Sequence, residues 1–287
     1  MSLTLSNAAF TFVGAGSMAE AIVRGLTSQK EGNPSRITML NRQDVSRLRA
    51  LQQSYGVSYA VETSDKNQAI IDADVVIVAF KPKDAVEGLK ALGPLLQRSQ
   101  LLVSVIAGLS TSTIEDILGA AGQPIARTMP NTSSSIGLGA TGISFTPSVT
   151  ANQQKLAIDM FASTGIVSVV DEAKLDIVTG VSGSGPAYIY YMMEAMIEGG
   201  IRGGLTPEAA KQLTVQTVLG AAKMVELTGE DPADLRRKVT SPNGTTQAAL
   251  EMLDRHDFST GVTKAVLRSA ERAGELGQAI SAQAANR

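Results

Sequence analysis

The sequence predicts an α/β fold in two domains, a doubly wound parallel sheet followed by an all-helical domain. The 287 residues are enough for two domains of about 150 residues each. Short β-branched segments alternate with longer amphipathic ones up to about residue 170, which is typical of β-α-β units. Beyond that residue only helical periodicity remains. We therefore expect domains at 1–170 and 171–287.

Six strands are expected in the first domain, followed by two shorter ones that flank a helix. The four residues at 75–78 are all apolar, which indicates a central strand covered by helices on both faces. Met18, Ile22 and Leu26 recur every four residues and predict a helix after the first strand. The strands are expected at 9–13, 36–40, 57–60, 74–80, 100–106 and 124–128, and the shorter pair at 141–145 and 165–170, with a helix near 150–162.

Helical spacing marks the second domain, most clearly over 215–225 and 262–280. The segment at 188–201 carries more apolar surface than one small helical domain needs to bury. A subunit interface is the expected use of this segment, and an ordinary core helix is the alternative. Its apolar side chains are Ile189, Met192, Met193, Met196 and Ile197.

The composition excludes several classes of function. The chain has 25 Lys and Arg against 27 Asp and Glu, a net charge of −2, and it lacks the basic excess typical of nucleic acid binding. It has no Cys and one His, which excludes a thiolate zinc site, a disulfide framework and a cysteine nucleophile. Any chemistry must rest on backbone groups, hydroxyls or a bound organic cofactor, and no metal is expected.

No association with membranes is expected either. The apolar runs at 75–80 and 101–103 are far shorter than the roughly 18 residues that span a bilayer. The first basic residue is Arg24, so the N-terminal segment lacks the charged-then-apolar order of a secretory signal. We expect a cytoplasmic protein whose partner is a small molecule.

A glycine-rich segment follows the first predicted strand and opens the first predicted helix. Residues 14–19 read GAGSMA, which fits the dinucleotide-binding pattern with Ala19 in the third glycine place. Gly14 would allow the tight turn, and Gly16 would let the backbone approach a pyrophosphate at the positive end of the helix. We predict cofactor binding by Gly14, Ala15, Gly16, Ser17 and Met18.

The second predicted strand is followed by Asn41 and Arg42 rather than by an acidic residue. An acid at this place commonly binds the ribose hydroxyls of NAD, whereas Arg42 would pair with the 2′-phosphate of NADP and Asn41 would donate hydrogen bonds. NADPH is therefore the expected cofactor, and NADH is the alternative. A second interpretation is that Arg42 is a solvated loop charge, partly cancelled by Asp44.

The segments at 79–82 and 106–108 lie at the ends of two further predicted strands, at the same edge of the sheet. Ligands of such folds bind beyond the carboxyl ends of the strands. Pro82 lacks an N–H and has a fixed φ, which suits a loop against the nicotinamide ribose. As motifs alone, both segments could equally be strand terminators. The cofactor-binding residues predicted here are Ala79, Phe80, Lys81, Pro82, Ile106, Ala107 and Gly108.

The segment SPNGTT at 241–246 precedes a helical pattern. We expect Ser241 to cap that helix and Pro242 to lie in its first turn. The following N–H groups would form a carboxylate site without any arginine, and the Thr246 hydroxyl would donate or accept a hydrogen bond there. Substrate binding is therefore predicted for Asn243, Gly244, Thr245 and Thr246.

Five motifs occur in order between Phe10 and about Leu276: GAGSMAEAI at 14–22, FKP at 80–82, RTMPNT at 127–132, SGSGPAY at 182–188 and SPNGTT at 241–246. In this combination the chain resembles the pyrroline-5-carboxylate reductase family. The resemblance implies an oxidoreductase that reduces L-Δ1-pyrroline-5-carboxylate to L-proline with NADPH or NADH, the last step of proline biosynthesis. It also implies a Rossmann-type domain followed by a helical dimerisation domain, hence at least a homodimer, with a decamer of dimers as a larger assembly.

The resemblance further assigns catalytic roles to the segment at 241–246. Ser241 and Thr246 correspond to hydroxyls beside the cofactor and the substrate, with Thr246 bonded to the ring nitrogen. The N–H groups of the segment would hold the substrate carboxylate. Asn243 stands where many members of the family carry Gly, and Asn tolerates unusual backbone angles better than most residues.

Two other functions remain open at this point. β-Hydroxyacid dehydrogenases also join a nucleotide domain to helices, but they use a Lys with an Asn one helical turn later. Here Lys174, Lys211 and Lys223 are each followed four residues later by an apolar residue. A non-enzymatic regulator that senses NADP is the second alternative, and the intact segment at 241–246 argues against it.

Overall fold

The computed structural model describes residues 2–30 and 32–285, which form two compact units. The first unit contains the residues up to Ser184 and those from Leu267 onward, and the second contains Gly185–Val266. These limits differ from the expected boundary at residue 170, because the segment at 171–184 and the end of the last helix belong with the sheet. The division into functional domains at 1–170 and 171–287 stays a prediction.

An eight-stranded sheet forms the centre of the first unit. Its strands are β1 (Phe10–Val13), β2 (Ile37–Leu40), β3 (Ser58–Ala60), β4 (Val75–Val78), β5 (Leu101–Ser104), β6 (Ile125–Met129), β7 (Gly139–Phe145) and β8 (Gly165–Val169). Their order across the sheet is β3-β2-β1-β4-β5-β6-β7-β8. The doubly wound sheet is confirmed with one correction to the parallel arrangement, since β7 runs antiparallel to β6.

Helices cover both faces of this sheet. In the first unit they are α1 (Ser17–Ser28), α2 (Val45–Tyr55), α3 (Thr63–Ile71), α4 (Ala85–Leu92), α5 (Thr111–Leu118), α6 (Ala151–Ala162) and α7 (Leu175–Val178). Val75 and Ile77 pack into one apolar layer with residues of α1, α2 and α6. Val76 and Val78 pack into a second layer with residues of α3, α4 and α5. β4 is therefore a central strand, as its unbroken apolar run predicts.

The strand order creates a crevice beside β1. The chain forms β1, β2 and β3 in one direction and then returns to β4, which pairs with the other side of β1. The connections that leave β1 and β4 therefore diverge, and such a switch point is where ligands of open α/β sheets bind. The glycine-rich segment is the turn that follows β1 at this place.

The described residues of the second unit that form regular secondary structure are all helical. The helices are α8 (Gly185–Arg202), α9 (Pro207–Thr228), α10 (Pro232–Lys238), α11 (Thr245–Arg255) and α12 (Phe258–Ala285), which continues into the first unit. The side chains of Thr206 and Asp231 cap α9 and α10, and each helix then begins with a proline. Over residues 2–30 and 32–285, no helix combines the length and the apolar character that a bilayer crossing requires.

The second unit leaves many large apolar side chains exposed. No residue of α8 is buried, and Tyr191 is 77% exposed. On α9, Leu227 is 79% exposed. Many exposed apolar side chains on the same helices are typical of an interaction site. The predicted interface segment follows the same pattern, with Ile189 and Met196 exposed and Met192, Met193 and Ile197 half-buried.

The last turns of α12 complete the second apolar layer of the first unit, where Ile280 is buried. The same helix lies against the turn that follows β5. A Cβ at Gly277 would lie 2.0 Å from the carbonyl oxygen of Gly108. Gly108 has a φ of +76°, and a Cβ there would lie 2.4 Å from the carbonyl oxygen of Ala273. The contact therefore requires glycine at both positions.

Gly277→Ala should destabilise the protein by roughly 2 kcal/mol or more, because the added methyl group would push α12 away from the turn after β5. Gly274→Ala is the matched control in the same helix. Its Cβ would have only an ordinary 3.5 Å contact with the Asp176 carboxylate, and alanine gains about 0.8–1 kcal/mol of helix propensity over glycine. Urea unfolding of both variants measures the difference, and equal stability would contradict the close contact.

Candidate cofactor site and substrate loop

Gly14 lies in the turn between β1 and α1, at the switch point of the sheet. Its φ is +114°, and a Cβ there would lie 2.6 Å from the carbonyl oxygen of Ala79. The Gly14 N–H donates to the Leu40 carbonyl at 3.0 Å. The turn therefore touches the ends of both β2 and β4, and a larger residue would separate them.

Gly16 leaves the start of α1 open. It caps the helix without a side-chain hydrogen bond, and a Cβ built on it has no neighbour within 4 Å. The N–H groups of Ser17 and Met18 lie in the first turn, where no intrahelical acceptor exists and the helix dipole is positive. Ala19 is fully buried and holds α1 against the sheet. Open space beside free N–H groups fits the pyrophosphate of a dinucleotide.

The start of α5, which follows β5, is capped by side chains of the protein itself. The Ser110 hydroxyl accepts a hydrogen bond from the Thr113 N–H at 3.1 Å. The Glu172 carboxylate accepts from both the N–H and the hydroxyl of Thr111, each at 2.7 Å. Since a carboxylate already neutralises this helix end, α1 is the helix start suited to a phosphate. The predicted cofactor residues before α5 are the buried Ile106 and the half-buried Ala107 and Gly108.

The loop after β2 places Arg42 near two carboxylates that follow β4, Asp84 and Glu87. The Arg42 guanidinium lies 3.9 Å from Asp84 and 3.6 Å from Glu87, and its side chain is 69% exposed. Asp44, which would partly cancel this charge under the second interpretation, accepts the Arg47 N–H at 2.9 Å and caps α2. The pKa of Asp44 is lowered, mainly by a hydrogen bond from the Ser46 hydroxyl and also by the one from the Arg47 N–H.

Asn41 shapes the same loop through its side-chain oxygen. Its Oδ1 accepts the N–H groups of Gln43 at 3.3 Å and Asp44 at 3.4 Å. This Asx-type turn holds the backbone between β2 and α2. The predicted hydrogen bonds from Asn41 to a cofactor stay a prediction.

The segment after β4 combines one packing residue with exposed ones. The Phe80 ring lies on α4, where a Cβ at Gly88 would be 2.8 Å from its Cζ. Lys81 is exposed, and Pro82 begins a short 3-10 turn at Pro82–Asp84. Ala79 continues the ladder by donating its N–H to the Val13 carbonyl at 2.9 Å. The contacts of this segment with a cofactor stay predictions.

A polar cluster joins α1 to α2 directly behind the glycine turn. Arg47 donates from Nε to the Ala15 carbonyl at 3.1 Å and from Nη2 to Glu20 Oε2 at 2.5 Å. The Tyr55 hydroxyl donates to Glu20 Oε1 at 2.9 Å. The pKa of Glu20 is lowered, and the hydrogen bond from Arg47 is the largest cause. The cluster could not be predicted from the sequence, because its members lie on two helices separated by a strand.

Two residues of the RTMPNT motif at 127–132 hold neighbouring segments of the first unit together. Arg127 lies in β6 with its side chain 7% exposed, and it pairs with Asp176 at 2.7 Å and Glu172 at 3.3 Å. Asn131 accepts the Ala140 N–H and donates to the Ser182 carbonyl, both at 3.1 Å. These contacts attach the segment that leads into α8 to the sheet.

The SPNGTT loop precedes α11, but the helix begins later than expected. The prediction that Ser241 caps the helix and Pro242 lies in its first turn is wrong, since Gly244 is the cap and Thr245 the first helical residue. Residues 241–244 form a turn in which the Gly244 N–H donates to the Ser241 carbonyl at 3.0 Å. A Cβ at Gly244 would lie 2.4 Å from the Ser241 hydroxyl oxygen, so the tight turn overrides the local cap signals.

Two of the four N–H groups expected to bind a carboxylate already have acceptors. The Asn243 N–H donates to Gln247 Oε1 at 2.8 Å, and the Gly244 N–H is used in the turn. The N–H groups of Thr245 and Thr246 remain, in the first turn of α11, where helices leave donors unpaired. Asn243 has a φ of +58°, which explains why Gly or Asn suits this position. The binding roles of all four residues stay predictions.

Known protein families match both parts of the chain. A family model described as "Pyrroline-5-carboxylate reductase dimerisation" matches residues 172–276. A second, described as "NADP oxidoreductase coenzyme F420-dependent", matches residues 9–108. Pyrroline-5-carboxylate reductase 1 of Bacillus spizizenii is 42% identical over 96% of this chain and 91% of its own length. The Arabidopsis thaliana pyrroline-5-carboxylate reductase is 37% identical over 93% of this chain and 95% of its own length.

Solved structures agree with these matches. A pyrroline-5-carboxylate reductase from Coxiella burnetii has a TM-score of 0.86 and 37% identity, covering 94% of this chain and 98% of that one. The Plasmodium falciparum pyrroline carboxylate reductase, solved with NADP bound, has a TM-score of 0.84 and 27% identity over 95% and 99% of the two chains.

The glycine turn at the switch point, the open start of α1 and the helical second unit define a two-domain, dinucleotide-dependent oxidoreductase. Within that class, the chain belongs to the pyrroline-5-carboxylate reductase family. The dimerisation domain and the exposed apolar helices together identify a homo-oligomer.

Arg42→Ala should weaken binding of NADPH by about tenfold and leave binding of NADH unchanged, because only NADPH carries a 2′-phosphate for the guanidinium. Glu87→Gln should have the opposite effect on NADPH, a gain of about two- to fivefold, since it removes a carboxylate that competes for Arg42. Titration of each variant with both cofactors measures these changes. Equal losses for the two cofactors in Arg42→Ala would show that Arg42 does not read the phosphate.

Proposed function

We propose that this chain reduces L-Δ1-pyrroline-5-carboxylate to L-proline, the last step of proline biosynthesis, with NADPH as cofactor and NADH as the alternative. The observation that carries the proposal is the relationship to pyrroline-5-carboxylate reductases over more than nine-tenths of the chain, at 37–42% identity. The glycine turn and the SPNGTT loop agree with it, because they offer a phosphate site and a small-anion site. Cytoplasmic location is proposed with it.

The first unit holds the cofactor in this proposal. Ser17 and Met18 donate their N–H groups to the pyrophosphate, and Arg42 pairs with the 2′-phosphate. Lys81 and Pro82 after β4, and Ala107 and Gly108 after β5, border the nicotinamide end. When bound, the reduced cofactor supplies the hydride that the imine carbon accepts.

The start of α11 orients the substrate in this proposal. The N–H groups of Thr245 and Thr246 bind the substrate carboxylate, which fixes the ring without an arginine. The Thr246 hydroxyl then bonds the ring nitrogen, and the Ser241 hydroxyl lies beside it. A protonated imine is more electrophilic than a neutral one, so holding the nitrogen and excluding water are the tasks left to the protein. These tasks need no histidine or metal ligand.

We propose a homodimer as the smallest assembly, with a decamer of dimers as the larger form. The exposed apolar side chains of α8 and α9 support a large subunit interface. Light scattering of the purified chain at several concentrations measures the assembly. A monomer at micromolar concentration would contradict the proposal.

The decisive test of the activity follows the absorbance of the reduced nicotinamide after pyrroline-5-carboxylate is added. We expect consumption of NADPH together with formation of proline, and slower consumption of NADH. Binding of NADPH with no turnover of the imine would contradict the proposed reaction and would favour a regulator that senses NADP.

Thr246→Ala should lower kcat by a factor on the order of 100, with the NADPH affinity unchanged, because it removes a group at the imine and none at the phosphates. Thr246→Ser keeps a hydroxyl at the same place and is the matched control. Steady-state kinetics and cofactor titration of both variants measure the effect. An unchanged rate in Thr246→Ala would discard this role.

A further inference from the structure

The peptide bond between Ala15 and Gly16 is held from one side. Arg47 Nε donates to the Ala15 carbonyl oxygen at 3.1 Å. The described residues contain no cis peptide bond, and in a trans peptide the C=O and the following N–H point in opposite directions. Fixing the Ala15 carbonyl toward α2 therefore points the Gly16 N–H away from α2. A Cβ built on Gly16 meets no atom within 4 Å, so the backbone at this residue is open to a ligand.

The Arg47 guanidinium is itself held in place. Its Nη2 pairs with Glu20 Oε2 at 2.5 Å, and the Arg47 side chain is 31% exposed. The Tyr55 hydroxyl donates to the second Glu20 oxygen and accepts from Arg24 Nε at 3.1 Å. Because the planar guanidinium donates to two acceptors at once, it cannot rotate without losing one of them.

The cluster also solves an electrostatic problem. Glu20 lies in the first turn of α1, where a phosphate is expected, and an unpaired carboxylate there would repel it. Arg47 and Arg24 compensate the charge of this carboxylate, and the Tyr55 hydroxyl donates a hydrogen bond to it. The start of α1 therefore stays favourable for an anion although an acidic residue lies within it.

From this geometry we infer that Arg47 is a positioning residue for the cofactor: it holds the Ala15 carbonyl so that the Gly16 N–H faces the pyrophosphate. The inference rests on the proposed function, since it requires a bound dinucleotide. The two arginines that follow β2, Arg42 and Arg47, then have different roles in cofactor binding. Arg42 should discriminate between NADPH and NADH, whereas Arg47 should affect both equally, because both cofactors contain the pyrophosphate.

The test measures dissociation constants of NADPH and NADH for the full chain by isothermal titration calorimetry. Arg47→Met should weaken binding of both cofactors by about tenfold or more, which is the scale of a hydrogen bond from a charged donor. The rate at saturating cofactor should change by less than about twofold, because the effect is on binding. Arg49→Met, which removes an exposed arginine of the same helix, is the control and should bind as the unaltered chain does.

A second variant separates positioning from charge and from folding. Arg47→Lys keeps a positive charge for Glu20 but replaces the guanidinium fork with a single ammonium group. We expect it to unfold near the temperature of the unaltered chain while binding both cofactors several-fold more weakly. Should Arg47→Met fail to fold, this variant decides the question.

Three results would overturn the inference. Loss of NADPH binding alone would mean that Arg47 reads the 2′-phosphate. Unchanged affinities in Arg47→Met, with a lower unfolding temperature, would mean that the cluster only stabilises the fold. Full affinity in Arg47→Lys would mean that the charge suffices without the carbonyl bond. Failure of the unaltered chain to bind either cofactor would instead refute the proposed function itself, and the inference with it.

Discussion

The contact between the turn at Gly14 and the end of β4 determines the position of the candidate cofactor site. Only a residue without a Cβ lets the turn approach the Ala79 carbonyl, and this approach brings the start of α1 to the switch point of the sheet. The open space at Gly16, the loop carrying Arg42 and the segment at 80–82 all take their positions relative to that turn. Backbone packing at Gly14 thus places the site, and the Arg47 side chain holds the next peptide of the same turn.

Side chains cap the start of α5 and leave the start of α1 open to an anion. Glu172 neutralises the start of α5, whereas Glu20 in α1 is itself neutralised by Arg47. The same pattern recurs in the second unit, where Gln247 and Ser241 take up two N–H groups before α11 and leave those of Thr245 and Thr246. In both units, selective capping concentrates binding on a few backbone donors.

The strands, the central place of β4 and the position of the glycine turn could be predicted, because each depends on a short stretch of residues. The Arg47 and Glu172 interactions could not, since they join residues 32 and 61 positions apart. The predicted cap of α11 is wrong because Ser241 and Pro242 are strong local signals for a helix start. The turn that overrides these signals depends on the positive φ of Asn243 and the close packing of Gly244. The antiparallel β7 likewise carries no local mark.

The helix α12 has a consequence for how the chain is made. Its last turns supply Ile280 to a layer whose other buried members come from residues 40–125, and Gly277 contacts the turn at Gly108. During synthesis residues 40–125 leave the ribosome before Ile280 does, so the part of this layer that α12 covers stays exposed until that helix has been made. The contact that supports the turn at Gly108 therefore forms only after the strands and helices of that layer have been synthesised.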